Sequence, residues 1–335
     1  MNKNDLWYKT KTGVKGLSSN FLVIVFVAVM LIGTIVSPYF LTKRNFSNIL
    51  QFSAIISIMA VGQFFVVVTG GIDLSVGSIA AFATVVSAVM LRQDNNWVLT
   101  FIVALLLSSL WGLINGLLVT KAKITPFIAT LATQSIVRGC AYLIQSGSLI
   151  GIFNEKFIWL FSGKLFFTRT PVFLFIIVMI IAQFFMKYST FGRRLYAIGG
   201  NAEAARLSGI PVNKSLLKVY LLNGLLSGLG GLVMAAQLTQ GSSLLAKGYE
   251  LDTIAAVVVG GASLAGGSGS PAGAVIGGLI MYMITNIMNL LTIPSEPQMV
   301  VKGLVIIAAV IAIGDGTPKV RKHKFFKKFK TDKVE

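Results

Sequence analysis

The sequence has few of the residues that carry soluble chemistry. One cysteine, Cys140, and one histidine, His323, occur in 335 residues. A single cysteine excludes an intramolecular disulfide and a multi-cysteine zinc site. With only one histidine, a histidine cluster for metal is absent as well, so no metal site is expected. Charge is scarce: 12% of residues are Asp, Glu, Lys or Arg, against about 25% in ordinary soluble domains. No G-x-x-x-x-G-K-[ST] phosphate loop occurs, and the glycine-rich run GGASLAGGSGSPAGAVIGG has no lysine to reach a phosphate. The chain is expected to hold no nucleotide, no cofactor and no catalytic residues of its own.

What the sequence has instead is apolar length. Hydrophobic residues make up 55% of the chain and mean hydropathy is +0.81. A membrane-crossing helix needs roughly 20 apolar residues. Runs of that kind fall at 20–40, 49–69, 74–91, 97–120, 127–146, 171–187, 216–238, 250–266, 271–291 and 298–314. The expected fold is therefore all-α and polytopic, with about ten transmembrane helices, some of them broken by glycine. The expected organisation is a tail over 1–20, a transmembrane domain over 21–314 and a basic tail over 315–335. The first run follows a basic start but shows no small-residue cleavage pattern, so it is read as a retained span rather than a signal peptide.

Net charge is +18, but lysines and arginines cluster at the ends of apolar runs and in the tails. That distribution excludes a nucleic-acid surface and reports topology. With a cytoplasmic N-terminus, the inner segments hold 20 of the 29 basic residues, as the positive-inside rule requires. Both termini are then cytoplasmic. The C-terminal KVRKHKFFKKFKTDKVE fits either an anionic-lipid-facing tail or plain topology anchoring. The outer connection GSLIGIFNEKFIWLFSGKLFFTRTP fits an interfacial segment or a loop packed on the spans.

The inner connection, KYSTFGRRLYAIGGNAEAARLSGIPVNKSLLK, divides into a basic turn, a glycine pair and a short helix. Asn201 is a good N-cap, Glu203 favours the positive helix end, Ala204, Ala205 and Leu207 propagate the helix, and Gly209 with Pro211 ends it. Isolated helices below about 12 residues are marginal in water, so a partner is expected to dock on this one. The segments VVVTGGIDLSVGSIAA and VVVGGASLAGGSGSPAG share a valine run, a glycine pair and a following leucine. Both fall on the inner side in the ten-span reading, as turns where spans meet or break.

Three stretches, GGIDLSVGS, FGRRLYAIGGNAEAARLSGI and GYELDTIAAVVVGGASLAGGSGS, together resemble the permease subunits of ribose-type ATP-binding cassette sugar importers. The likeness runs in order from about residue 45 to 315. It implies a multi-pass protein of the bacterial inner membrane that is a transporter subunit rather than an enzyme. It implies three partners besides membrane lipids: a cytoplasmic ATPase that binds ATP and Mg, a second permease copy or paralogue, and an extracytoplasmic solute-binding protein that delivers a monosaccharide. On this likeness the loop 188–215 carries the ATPase-coupling helix, with Gly192, Arg193, Gly199, Asn201, Glu203, Ala204, Ala205, Arg206 and Gly209 as its residues. The cargo could be a pentose, a hexose or a cyclic sugar-like signal such as autoinducer 2. Related permeases for nucleosides or branched-chain amino acids share the machinery, and an ion-coupled secondary transporter is the alternative from another class.

Pathway or gate candidates are polar or flexible residues inside apolar runs: Gly70, Gly71, Asp73, Ser75, Asn223, Asn286 and Asn289. An intramembrane carboxylate is a functional candidate by default, and Arg138 is its formal partner. Yet Asp73 falls at a turn between two spans, where it can cap a helix beginning at Leu74. Three roles follow: a structural cap, a contact with solute or gate, and an ion-coupling group.

Overall fold

A computed structural model describes residues 22–166 and 168–313; both basic tails lie outside them. Each of the ten apolar runs holds a helix. In chain order these are α1 (Leu22–Val36), α2 (Lys43–Val68), α3 (Val76–Arg92), α4 (Trp97–Thr120) and α5 (Pro126–Gln145), then α7 (Thr170–Tyr188), α10 (Val212–Leu238), α11 (Tyr249–Val259), α12 (Pro271–Leu290) and α13 (Ser295–Ile313). Three shorter helices lie between them: α6 (Glu155–Ser162) in the outer connection, and α8 (Thr190–Gly200) and α9 (Ala202–Leu207) in the inner one. Six of the helices, α2, α4, α5, α7, α10 and α12, are long and apolar enough to cross a membrane.

Local chemistry fixes the helix starts. Thr42, Asn96, Asn154 and Ser270 each accept a hydrogen bond from a first-turn N–H of α2, α4, α6 and α12, filling donors that no earlier carbonyl can reach. Pro126 and Pro271 open α5 and α12, where a missing N–H costs nothing. α11 stops at Val259 although its apolar run continues; Gly260 to Ser270 is irregular, with Gly261, Gly266, Gly267 and Gly269 at positive φ. At about 1.5 Å per residue, α11 spans only about half of a ~30 Å bilayer core. This is a broken span.

Packing is centred on α2, whose most apolar stretch is 94% buried; the figure is 83% for α10 and 22% for α4. α10 packs along α4 because neither helix carries side chains where they cross. A Cβ on Gly112 would strike the Tyr220 carbonyl, and one on Gly224 would strike Ser108 and Gly112. In a bilayer, close backbone approach of this kind replaces the missing hydrophobic drive between helices. α4, α5 and α7 turn apolar faces outward, among them Leu106, Leu110, Ile128, Ile136, Ile180 and Phe184.

The outer connection packs part of its length on the spans. Two-residue strands β1 (Ile150–Gly151) and β4 (Gln240–Gly241) pair antiparallel, as do β2 (Lys164–Leu165) and β3 (Thr168–Arg169). Phe157 and Phe161 of α6 are buried, whereas Phe153, Trp159 and Phe166 are exposed, in keeping with an interfacial position.

Candidate functional site

Asp73 is fully buried and sits between α2 and α3. Its Oδ1 accepts from the Ser75 N–H at 2.8 Å and the Ser75 hydroxyl at 2.6 Å. Its Oδ2 accepts from Nδ2 of Asn223 on α10 at 2.9 Å. Asn115 of α4 donates to the Ser75 hydroxyl at 2.8 Å. Gln63 of α2, its amide oriented to match donor with acceptor, brackets the Asp73 peptide: it donates to the carbonyl and accepts from the N–H, each at 3.2 Å. Thr130 of α5 donates to the Ile72 carbonyl at 3.3 Å. One short loop is thus pinned to α2, α4, α5 and α10.

Two details differ from the sequence expectation. α3 begins at Val76 with Ser75 as its N-cap, so Asp73 does not cap a helix starting at Leu74; it closes an Asx-type turn just before the helix. Nor does Arg138 meet Asp73. Its Nη1 donates to the Ser243 carbonyl at 2.6 Å and the Leu245 carbonyl at 2.7 Å, tying α5 to the α10–α11 loop.

Gly70, at φ +80°, makes the turn out of α2, and a side chain on Gly71 would crowd the Tyr220 hydroxyl and Val66. Gly70, Gly71, Asp73, Ser75 and Asn223 therefore form one group. Asn286 and Asn289 lie elsewhere. Asn286 makes a reciprocal amide pair with Asn45, 2.9 Å each way, which locks α12 to the start of α2. Asn289 is exposed and accepts from Gln298 at 2.9 Å. Gln63 and Asn115 belong to the Asp73 group but were not among the sequence candidates, although each is an amide inside an apolar run and so carries the signal that picked out Asn223. Lys302 was likewise missed: it lies within α13 and pairs with buried Asp252 of α11 at 2.6 Å.

The inner connection confirms the short helix and corrects what precedes it. α9 spans Ala202–Leu207, Asn201 Oδ1 accepts from the Ala204 N–H at 2.9 Å, and Gly209 follows at φ +80°. The stretch TFGRRLYAIGG is not a turn and a glycine break but a helix, α8, capped by the Ser189 hydroxyl accepting from the Gly192 N–H at 3.1 Å. It is amphipathic, burying Gly192, Leu195 and Ile198. Gly192 packs on the backbone of Met186, and Gly199 on the Val68 carbonyl and Gly267 N–H.

That last contact joins three segments. The Gly267 N–H donates to the Val68 carbonyl at 2.9 Å, and the Tyr196 hydroxyl of α8 donates to the Gly269 carbonyl at 2.9 Å. The end of α2, the glycine loop after α11 and the end of α8 therefore meet at backbone contact, so both glycine segments lie on one side. Of the loop residues, Asn201, Glu203, Ala204, Arg206 and Gly209 are exposed and Ala205 is buried. Glu203 and Arg206 form an exposed ion pair at 2.5 Å, and the hydrogen bond from Arg206 holds the Glu203 carboxyl below its ordinary range. Exposed Arg193 donates to the Tyr188 carbonyl at 3.3 Å, covering the end of α7. Leu207, 75% exposed, is a large apolar side chain that this helix leaves mostly in the open. The sequence offered it only as a helix former.

Comparison with known proteins matches this arrangement to one group. A family model described as branched-chain amino acid transport system / permease component matches residues 45–310. The ribose import permease protein of Escherichia coli K12 is 40% identical over 91% of this chain and 95% of its own. That of Bacillus subtilis is 40% identical over 85% and 89%. The L-arabinose transport system permease protein of E. coli K12 is 39% identical over 87% and 88%. No solved structure matches. With the family model covering most of its length and permeases aligned nearly end to end, the chain belongs to the branched-chain amino acid transport system / permease component family, as a multi-pass transport subunit of the bacterial cell membrane rather than an enzyme.

Proposed function

We propose that this chain forms the translocation pathway of an ATP-driven importer for a pentose or similar monosaccharide. The supporting observation is the junction of α8, the end of α2 and the 260–270 loop. There α8, which leads into the exposed helix α9, meets the end of α2 and the glycine loop after α11 at backbone contact. A cytoplasmic ATPase, carrying the ATP and Mg, docks on α9 through Glu203, Ala204, Arg206 and Leu207. α8 carries its movement to the Asp73 loop and the 260–270 loop. Backbone contacts transmit displacement with little slack, because packed interiors shift between discrete arrangements rather than deform smoothly.

An extracytoplasmic binding protein delivers the sugar, and a second permease copy completes the path. The family description names branched-chain amino acids, but relatives near 40% identity over almost the full chain are named for ribose and arabinose; the sugar reading follows the nearer likeness. Asp73 acts in this scheme as a fixed hub of the loop. Its three carboxylate hydrogen bonds come from neutral donors of Ser75 and Asn223, which supports a fixed hub over an ion-coupling group. Uptake of labelled ribose and arabinose in cells carrying this chain with its neighbouring ATPase and binding protein tests the cargo: saturable uptake of either sugar supports it, and uptake of leucine but neither sugar contradicts it.

A further inference from the structure

α5 is apolar on its outer surface except along one edge. At 100° per residue, Gln134, Ser135, Arg138, Tyr142 and the buried Gln145 fall within a sector about 100° wide, whose exposed apolar residues, Phe127 and Leu131, lie toward the inner end of α5, whereas Ile128, Ala132, Ile136 and Leu143 occupy the next part of the exposed surface. Ser135 and Tyr142 are exposed, and Gln134 and Arg138 half-buried. Glu250, at the start of α11, adds a carboxylate: its Oε1 accepts from Gln134 at 3.2 Å, and it attracts the Arg138 guanidinium. Only Nη1 of Arg138 is hydrogen-bonded among the described residues, to the carbonyls of Ser243 and Leu245. Arg138 stands 12 residues, about 18 Å, from the inner end of α5, well inside a hydrocarbon core of about 30 Å.

A guanidinium, a carboxylate, an amide and two hydroxyls along this edge are costly against lipid, and such groups face a protein interior or water. Among the described residues, Ser135 and Tyr142 are left exposed and Gln134, Arg138 and Glu250 only partly covered. Resting on the reading of the chain as a permease, we propose that this edge of α5, with Glu250, is the wall of the water-filled solute path, and that Gln134, Ser135, Arg138 and Tyr142 meet a neutral, polyhydroxylated solute as it passes. Donors, acceptors and an aromatic ring side by side suit sugar hydroxyls and the apolar face of a sugar ring. The buried Asp73 group, enclosed by four helices, then holds the wall's neighbours in place and does not itself touch solute.

The test uses the assembled transporter in membranes, turning over ATP so that every state of the cycle is sampled. In a Cys140→Ala background, Ser135→Cys, Tyr142→Cys and Ile136→Cys are made singly and exposed to a membrane-impermeant methanethiosulfonate. Reaction requires a thiolate in contact with water. Ser135→Cys and Tyr142→Cys are expected to react at least about tenfold faster than Ile136→Cys, and their modification to cut ribose uptake at least about fivefold by narrowing the path. Ser135→Cys is nearly isosteric at an exposed site, so it reports even if the tyrosine variant misfolds. Reaction no faster than at Ile136→Cys overturns the proposal, and so does fast reaction that leaves uptake intact. Labelling is read independently of energetics: if uptake in the unmodified protein ignores the ATPase, the importer reading fails whatever the labelling shows.

Discussion

Asp73 is fully buried with both carboxylate oxygens hydrogen-bonded, and its partners predict how substitutions there behave. The Ser75 N–H and hydroxyl and the Asn223 amide all donate to it, while Asn223 Oδ1 is buried without a partner. In Asp73→Asn, a half-turn of the Asn223 amide lets the new NH2 donate to that idle oxygen. Exchanging charged for neutral bonds costs about 1 kcal/mol, so most transport is expected to survive. Asp73→Leu strands several buried donors at about 1–3 kcal/mol each and is expected to abolish uptake. Equal failure of both at equal membrane abundance, measured by uptake and immunoblot, would mean the charge itself is needed. At Gly199 a methyl group would meet the Val68 carbonyl and the Gly267 N–H, which are backbone. Gly199→Ala is therefore expected to cost about 1–3 kcal/mol by overpacking and to reduce transport even where α9 still binds the ATPase, a combination read by uptake alongside co-purification. The sequence showed Asp73, its glycines and Asn223 as oddities inside apolar runs. It could not show that Arg138 points to loop carbonyls and Asn286 to Asn45, because those pairings link residues more than 100 positions apart.

Among the elements, α9 carries the docking claim. It has six residues, too few to persist alone, yet it has a side-chain cap and leaves Leu207 in the open. Leu207→Glu, or reversal of both charges as Glu203→Arg with Arg206→Glu, is expected to lower ATPase co-purification and uptake together while membrane abundance stays normal. Loss of a hot-spot anchor at an interface costs about 2 kcal/mol or more, or roughly a thirtyfold loss of affinity, which is the size of effect expected for Leu207→Glu. Unchanged co-purification in both variants would remove the docking role. α9 was legible because cap, helix formers and stop are adjacent in sequence. α8 was misread because a glycine pair usually ends a helix; here Gly199 is helical since only a residue without Cβ fits against the end of α2. The break in α11 was legible for the opposite reason, as its glycines take positive φ and leave the helix.

Viewed as a whole, the molecule is a bundle about α2 and α10, with one inner connection welded to two glycine loops and one outer connection resting on α6. Apolar run length made the ten-helix order readable, and the charge bias supplies the expected orientation. Which helices form the centre was not, since α2 and α4 are similarly apolar and only packing distinguishes a buried helix from an outward-facing one. The central claim is that an ATPase outside this chain drives sugar through it by way of the α8–α9 connection. It is tested most directly by ribose uptake in cells whose ATP is held constant, with the partner ATPase disabled in one arm and a protonophore added in the other. The account predicts loss of uptake in the first arm and retention in the second; uptake that persists without the ATPase and collapses with the proton gradient would contradict it.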